Sequence, residues 1–106
     1  MPDYSSKINR FLTEDSFIIS NHARTRMFER RVSTAGIIKL LMKGEIIEEY
    51  PDDEPCPSVL MLGYIYDQPY HLVTGICEDH LRIITVYLPD ELHWINPKIR
   101  RKNNDS

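Results

Sequence analysis

Apolar residues recur at helical spacing in the stretch that follows Ser33. The run over Thr34–Lys43 carries a wide apolar face made of Ile37, Ile38, Leu40, Leu41 and Met42. Ser33 is a residue type that caps a helix start, and Gly44 suits the left-handed position after a helix end. The pattern therefore predicts a helix over Thr34–Lys43.

A second helix is predicted just before this one, starting at Ser20 or Asn21 and ending near Arg31. Ala23 and Met27 lie one turn apart, and this spacing predicts that they form the buried side of that helix. A polar stripe at a spacing of four runs along another side and consists of His22, Arg26 and Arg30. The stretch before it has less regular patterning. Residues 1–15 show no clean period, although Ile8, Phe11 and Leu12 could share a helical face, and residues 16–20 are short and β-rich.

Four β-rich runs follow the helices, at 45–50, 58–66, 70–77 and 80–88. The intervening PDDEPCP segment, with three prolines and a run of acids, predicts an exposed loop. Short links between the last three runs predict antiparallel hairpins. If the turns are tight, His71 and Tyr87 fall on opposite faces of the sheet.

The order of elements predicts an α+β fold, with two N-terminal helices packed on a mainly antiparallel four-stranded sheet. We divide the chain into an N-terminal extension at 1–15, an α+β domain at 16–96 and a basic flexible tail at 97–106. Trp94, the single tryptophan, is expected to dock on the domain.

Composition agrees with one small domain, since the 106 residues are 42% hydrophobic and 27% charged. The net charge of −3 conceals an uneven distribution, because 6 of the 16 acids lie within residues 45–54. Arginines crowd the segment 24–31, and a second basic group lies at 98–102. A mildly acidic chain of this kind can still present a local basic patch to phosphates.

The two cysteines, Cys56 and Cys77, lack metal-binding spacing and favour reduced thiols. The N-terminal residues lack the order of a signal peptide, and no apolar stretch reaches the ~20 residues of a membrane span. We therefore expect a cytoplasmic protein that has no contact with a membrane.

The stripe on the first predicted helix is the richest candidate site. It places an imidazole, His22, beside Arg26 and Arg30, whose planar guanidinium groups suit phosphate oxygens. Arg24 lies in the same segment. The alternative interpretation is that this is an ordinary solvated helix face, with His22 near the cap.

Other candidate chemistry is weaker. His71 and Tyr87 are strand residues that could serve as acid, base or donor, but each is also compatible with a structural role. The four histidines show no zinc spacing, so no metal is expected. Phosphate-binding glycine loops, nucleophile elbows and dinucleotide fingerprints are missing from the sequence, which argues against kinases, α/β hydrolases and Rossmann enzymes.

Several short motifs together resemble a bacterial family of domains of unknown function. The motifs are H-A-R-T-R-M-F-E-R-R-V-S at 22–33, L-M-K-G-E-I-I-E-E-Y at 41–50, P-S-V-L-M-L-G at 57–63, H-L-V at 71–73 and I-I-T-V-Y at 83–87. The family's pattern opens with histidine-alanine, continues through an arginine-methionine pair and a second arginine, and closes on a threonine-valine-tyrosine strand. The resemblance covers roughly residues 20–94.

The resemblance implies a fold of the RelE/ParE-like toxin superfamily, whose members are often encoded beside a zinc-finger antitoxin of the YgiT/MqsA kind. It also implies an activity, the metal-independent cleavage of RNA, commonly mRNA. The superfamily's strongly basic charge is not matched here. The family's polar signature falls on His22, Arg26, Arg30, His71 and Tyr87.

Three hypotheses follow. The first is a type II toxin, an endoribonuclease that uses the ribose 2′-hydroxyl as nucleophile and needs no cofactor. In it, His22, Arg26, His71 and Tyr87 are the catalytic candidates and Arg24 and Arg30 bind substrate. Its partners would be RNA, ribosome-associated or free, and a cognate antitoxin. The second is a non-catalytic protein- or nucleic-acid-binding module on the same scaffold, and the third is a small-molecule enzyme.

Overall fold

The computed structural model describes residues 3–89. Along this range it contains three helices and five strands: α1 (Tyr4–Thr13), β1 (Phe17–Ile19), α2 (Asn21–Arg30), α3 (Thr34–Lys43), β2 (Glu45–Tyr50), β3 (Ser58–Ile65), β4 (Gln68–Ile76) and β5 (Leu81–Tyr87). The α+β class is confirmed. Trp94, predicted to dock, and the predicted tail at 97–106 lie outside the described residues.

Side-chain caps set the helix starts that the sequence predicted. Ser20 accepts a hydrogen bond from the Ala23 amide at 3.0 Å, and Ser33 accepts one from the Gly36 amide at 3.0 Å. Both bonds satisfy amides that have no partner within the helix. The predicted bounds of α3 are confirmed.

The prediction of a left-handed Gly44 was wrong, because this residue has φ −73° and ψ 161°. Space, rather than a positive φ, favours glycine here. A Cβ atom at Gly44 would lie 2.4 Å from the carbonyl oxygen of Leu40. The chain can therefore leave α3 and enter β2 directly.

The sheet has five strands in the order β1-β5-β4-β3-β2. Strand β1 pairs in parallel with β5, and the remaining pairs are antiparallel. The predicted two helices and four strands were therefore too few. The missed strand has three residues, and the missed helix, α1, buries Tyr4, Ile8 and Phe11 in the core shared with the other helices.

A bulge in β5 controls which residues face the helices. The pairs Thr74 with Ile83 and Val73 with Thr85 leave Ile84 as an extra residue. Before the bulge, Leu81 and Ile83 are fully buried in the core. After it, the alternation is reversed, so Val86 enters the core instead.

Both faces of the central strands contain buried residues. The helical side holds the main core, and its strand members include Val59, Met61, Leu72, Ile83 and Val86. On the opposite side, Leu60 pairs with Val73, Leu62 pairs with His71, and Ser58 pairs with Gly75. Leu60, Leu62, His71 and Ser58 are all 5% exposed or less.

The two cysteines form a disulfide bond, so the prediction of reduced thiols was wrong. Cys56 lies in the acidic loop before β3, and Cys77 directly follows β4. Their distance in sequence, 21 residues, concealed the proximity that the β3–β4 hairpin creates. Disulfides persist mainly in oxidising compartments, so the cysteines no longer support the cytoplasmic prediction.

Replacing both cysteines by serine is expected to lower the free energy of unfolding by about 3 kcal/mol, because the bridge closes a loop of 21 residues in the unfolded chain. Urea unfolding of the variant and of oxidised wild type measures the difference. The wild-type protein in excess dithiothreitol serves as the matched control and should resemble the variant. Equal stability in all three samples would contradict a formed bridge.

Candidate functional site

The polar stripe of α2 faces the side of the sheet opposite the main core. Ala23 and Met27 turn into that core and are 0% and 8% exposed. The helix packs along β5, which lies at its side. This arrangement opens a cleft of about 520 Å³ between α2 and the last part of β5, lined by His22, Arg26, Arg30, Thr85, Tyr87, Leu88 and Pro89.

The bulge at Ile84 brings Tyr87 into the α2–β5 cleft. Without it, Tyr87 would follow Leu81 and Ile83 onto the helical face. With it, Tyr87 pairs directly with His71 across the two strands. The predicted placement of these two residues on opposite faces was therefore wrong, because an extra residue reverses the alternation.

The two arginines of the cleft have different surroundings. Arg26 is partly exposed, and its Nη1 atom lies 3.3 Å from Oε1 of Glu29, three residues along the same helix. The two side chains are 41% and 52% exposed, so this ion pair is solvated and weak. An anion in the cleft can therefore compete for Arg26. Arg30 is exposed one turn further along.

His71 lies next to the cleft but is 0% exposed. Its ring meets the ring of Tyr87 edge to face, with centroids 5.3 Å apart and planes at 79°. Edge-to-face packing fixes ring orientation and adds to the stability gained by burial. His71 thus holds the tyrosine in place from beneath, and its side chain does not line the cleft.

Arg24, predicted to bind substrate, is not brought to the same place. It is exposed on α2, two positions from His22, and a helix points such residues in divergent directions. Arg24 is not among the residues that line the cleft. The structure therefore gathers His22, Arg26, Arg30 and Tyr87 from the predicted set, with His71 behind them.

A second cavity of about 280 Å³ adjoins the cleft and shares His22 with it. The loop before β3 contributes Asp53, Glu54, Pro55 and Cys56, and the sheet contributes Gly75, Arg82 and Ile84. The predicted exposed loop is confirmed, since Asp53, Glu54 and Pro55 are exposed, but no sequence signal indicated that this loop lies beside β4 and β5. The Cys56–Cys77 bridge fixes that loop to the end of β4. A prediction of this disulfide, in place of reduced thiols, would have placed the loop beside the sheet.

The described residues form neither a metal-binding cluster nor a membrane-spanning helix. Within residues 3–89, no three metal-ligating side chains of histidine, cysteine, aspartate or glutamate cluster closely enough to hold an ion. No helix in that range is long and apolar enough to cross a bilayer.

His71 is expected to stabilise the folded protein. Replacing it by alanine removes a fully buried ring, and we expect the free energy of unfolding to fall by about 2–4 kcal/mol. The exposed His22 provides the matched control, since His22→Ala should leave stability close to wild type. Chemical denaturation monitored by circular dichroism measures both. A His71→Ala protein as stable as wild type would contradict this role.

The family comparison gives one match. The model of the Domain of unknown function (DUF4258) matches residues 19–88, a range that contains α2, α3 and the strands from β2 to β5. No curated protein and no solved structure matches the chain. The RelE/ParE-like relationship and the antitoxin pairing stay predictions. Since the match covers well over half of the 106 residues, the chain belongs to the DUF4258 family of domains of unknown function.

Proposed function

We propose that the protein is a metal-independent endoribonuclease that binds a phosphodiester of RNA in the α2–β5 cleft. One observation carries the proposal: an imidazole, two guanidinium groups and a phenol, from elements distant in sequence, line one open concavity. These are the group types that cleavage through the ribose 2′-hydroxyl requires when no metal takes part.

His22 is the proposed general base. Its side chain is exposed at the start of α2 and lines the cleft. Histidine is the residue type that exchanges a proton near neutral pH. It would take the proton from the 2′-hydroxyl as that oxygen attacks phosphorus, so that a 2′,3′-cyclic phosphate forms and the 5′-oxygen leaves.

Arg26 and Arg30 are the proposed phosphate-binding groups. They follow His22 at one and two turns of the same helix, so a phosphate beside the imidazole lies within reach of both. Guanidinium groups bind phosphate oxygens through paired hydrogen bonds. They would stabilise the negative charge that develops on the pentacoordinate phosphorus, which is a large contribution to such reactions.

Tyr87 is the proposed donor to the leaving 5′-oxygen. It is partly exposed and comes from the strand that forms the opposite wall of the cleft from α2. A phenol can donate a hydrogen bond or a proton. The buried ring of His71 would keep it in the required orientation, which makes His71 a positioning residue in this scheme.

The second candidate is a binding module that holds RNA or a protein without cleaving it. The net charge of −3 favours it, because a chain that is acidic overall attracts the phosphates of RNA less strongly than a basic chain does, which favours a protein partner. An antitoxin would be one such protein partner, and a toxin would bind it as well. Complex formation therefore does not separate the two functions.

Cleavage separates them. Purified protein incubated with a labelled single-stranded RNA in excess EDTA is expected to produce discrete fragments. In a separate reaction without EDTA, mRNA bound to translating ribosomes tests the ribosome-associated form. A protein doubly substituted at Arg26 and Arg30 by alanine serves as the inactive control for contaminating nuclease. RNA that is bound but intact under both conditions would favour the binding module.

A further inference from the structure

We propose that the cavity beside the cleft is a base-binding subsite that selects guanine. This inference rests on the proposed function, since the nucleotide's phosphate would occupy the α2–β5 cleft. The two spaces meet at His22, which lines both. A nucleotide with its phosphate beside Arg26 can therefore place its base in the adjoining cavity.

The size of the cavity fits one base. Its volume of about 280 Å³ lies just below the range of roughly 300–1,000 Å³ typical of pockets for larger ligands. Its lining includes Gly75, which carries no side chain, and the aliphatic residue Ile84; we call these two residues the floor. An apolar floor of this kind can contact the face of a planar ring.

Arg82 supplies a stacking surface beside that floor. It pairs with Gly75 across β4 and β5, and it is exposed on the same side of the sheet. A Cβ atom placed on Gly75 would lie 3.5 Å from the Cβ of Arg82, so the arginine stem lies directly beside Gly75. Guanidinium planes stack well on nucleobases.

Asp53 supplies the selectivity. Its Oδ2 atom accepts a hydrogen bond from the hydroxyl of Ser58, which is 0% exposed and anchored in β3. The disulfide at Cys56 fixes the same loop to the end of β4. The carboxylate is therefore held at the cavity rim by the buried sheet, although the loop itself is on the surface.

A carboxylate in this position favours guanine on chemical grounds. It accepts hydrogen bonds but donates none, and its two oxygens match two adjacent N–H donors. Among the four RNA bases, guanine offers such a pair, at N1 and N2 of its Watson–Crick edge. The negative charge, with Glu54 nearby, also disfavours a phosphate in this cavity. Base and phosphate are thus directed to different ends of the site.

Nucleotide binding tests the subsite without any cleavage step. Isothermal titration with the 5′-monophosphates of guanosine, adenosine, cytidine and uridine is expected to show about tenfold tighter binding of the guanosine nucleotide. Asp53→Asn keeps one oxygen that can accept the hydrogen bond from Ser58 but replaces the other oxygen by an amide NH₂ group. Its affinity for guanosine monophosphate should therefore fall to that for the other three nucleotides. The control Glu49→Gln alters an exposed acid of β2 that does not line the cavity, and should keep the preference.

A second variant, Gly75→Val, tests the subsite if the Asp53→Asn protein does not fold. Gly75→Val places a branched side chain in the cavity. It should weaken the binding of all four nucleotides and leave the binding of inorganic phosphate unchanged. Equal affinity for the four nucleotides, or no measurable binding of any, overturns the subsite. Guanosine preference in a protein that cuts no RNA supports the subsite and refutes the nuclease. Cleavage of RNA at all bases alike refutes the subsite and leaves the nuclease standing.

Discussion

Replacing His22 by alanine is expected to lower the rate of RNA cleavage by about 10²- to 10⁴-fold, because a positioned general base contributes a factor of that size. RNA binding should change little, since Arg26 and Arg30 remain in the cleft. Growth arrest on expression should disappear with the cleavage. Single-turnover cleavage of a labelled RNA measures the rate, and circular dichroism shows whether the variant is folded.

His80→Ala is the matched control for His22→Ala. His80 is a partly exposed histidine outside the cleft lining, and its Nδ1 atom lies 2.7 Å from Oδ1 of Asp79 between β4 and β5. The pH profile adds a second readout, since the loss of a base removes the rise of the rate with pH. A folded His22→Ala protein that cuts RNA at the wild-type rate would refute the assignment.

Replacing Arg26 or Arg30 by alanine is expected to reduce the cleavage rate by about 10²- to 10³-fold, the usual cost of losing one donor to a developing negative charge. Arg26→Lys keeps the charge but loses the planar fork, so its rate should fall between those of wild type and Arg26→Ala. The affinity for single-stranded RNA should also become less sensitive to salt, by about 0.7 in the logarithmic slope for each lost phosphate contact.

Arg24→Ala provides the control for both arginine variants. It removes the same charge from the same helix, but at a position that does not line the cleft. If Arg24→Ala reduces cleavage as much as Arg26→Ala does, the effect comes from overall charge and the proposed clamp is wrong. If neither cleft arginine affects the rate, the phosphate lies elsewhere.

Local signals in the sequence were sufficient for the features that depend on neighbouring residues. The bounds of α3 follow from the Ser33 cap and from apolar residues at helical spacing. The stripe of His22, Arg26 and Arg30 follows from helical periodicity and does line one cleft, as the spacing indicated. Such features need no knowledge of distant contacts.

Features that depend on distant contacts were missed. The bulge at Ile84 has no signature in a run of β-branched residues, yet it decides that Tyr87 faces the cleft. The pairing of β1 with β5 joins residues about sixty positions apart, and the bridge of Cys56 with Cys77 depends on the β3–β4 hairpin. The exposed loop that carries Asp53 was predicted correctly, but its position beside Gly75 and Arg82 was not.

The central claim is that groups of the α2–β5 cleft activate a ribose 2′-hydroxyl against the neighbouring phosphate. The most direct measurement compares an RNA with the same strand carrying 2′-deoxyribose at the cleaved position, in EDTA, with mass spectrometry of the products. The account predicts fragments that end in a 2′,3′-cyclic phosphate and a 5′-hydroxyl, and no cut at the deoxy position. Cleavage of the deoxy strand at that position, or fragments that carry a 5′-phosphate, would contradict it.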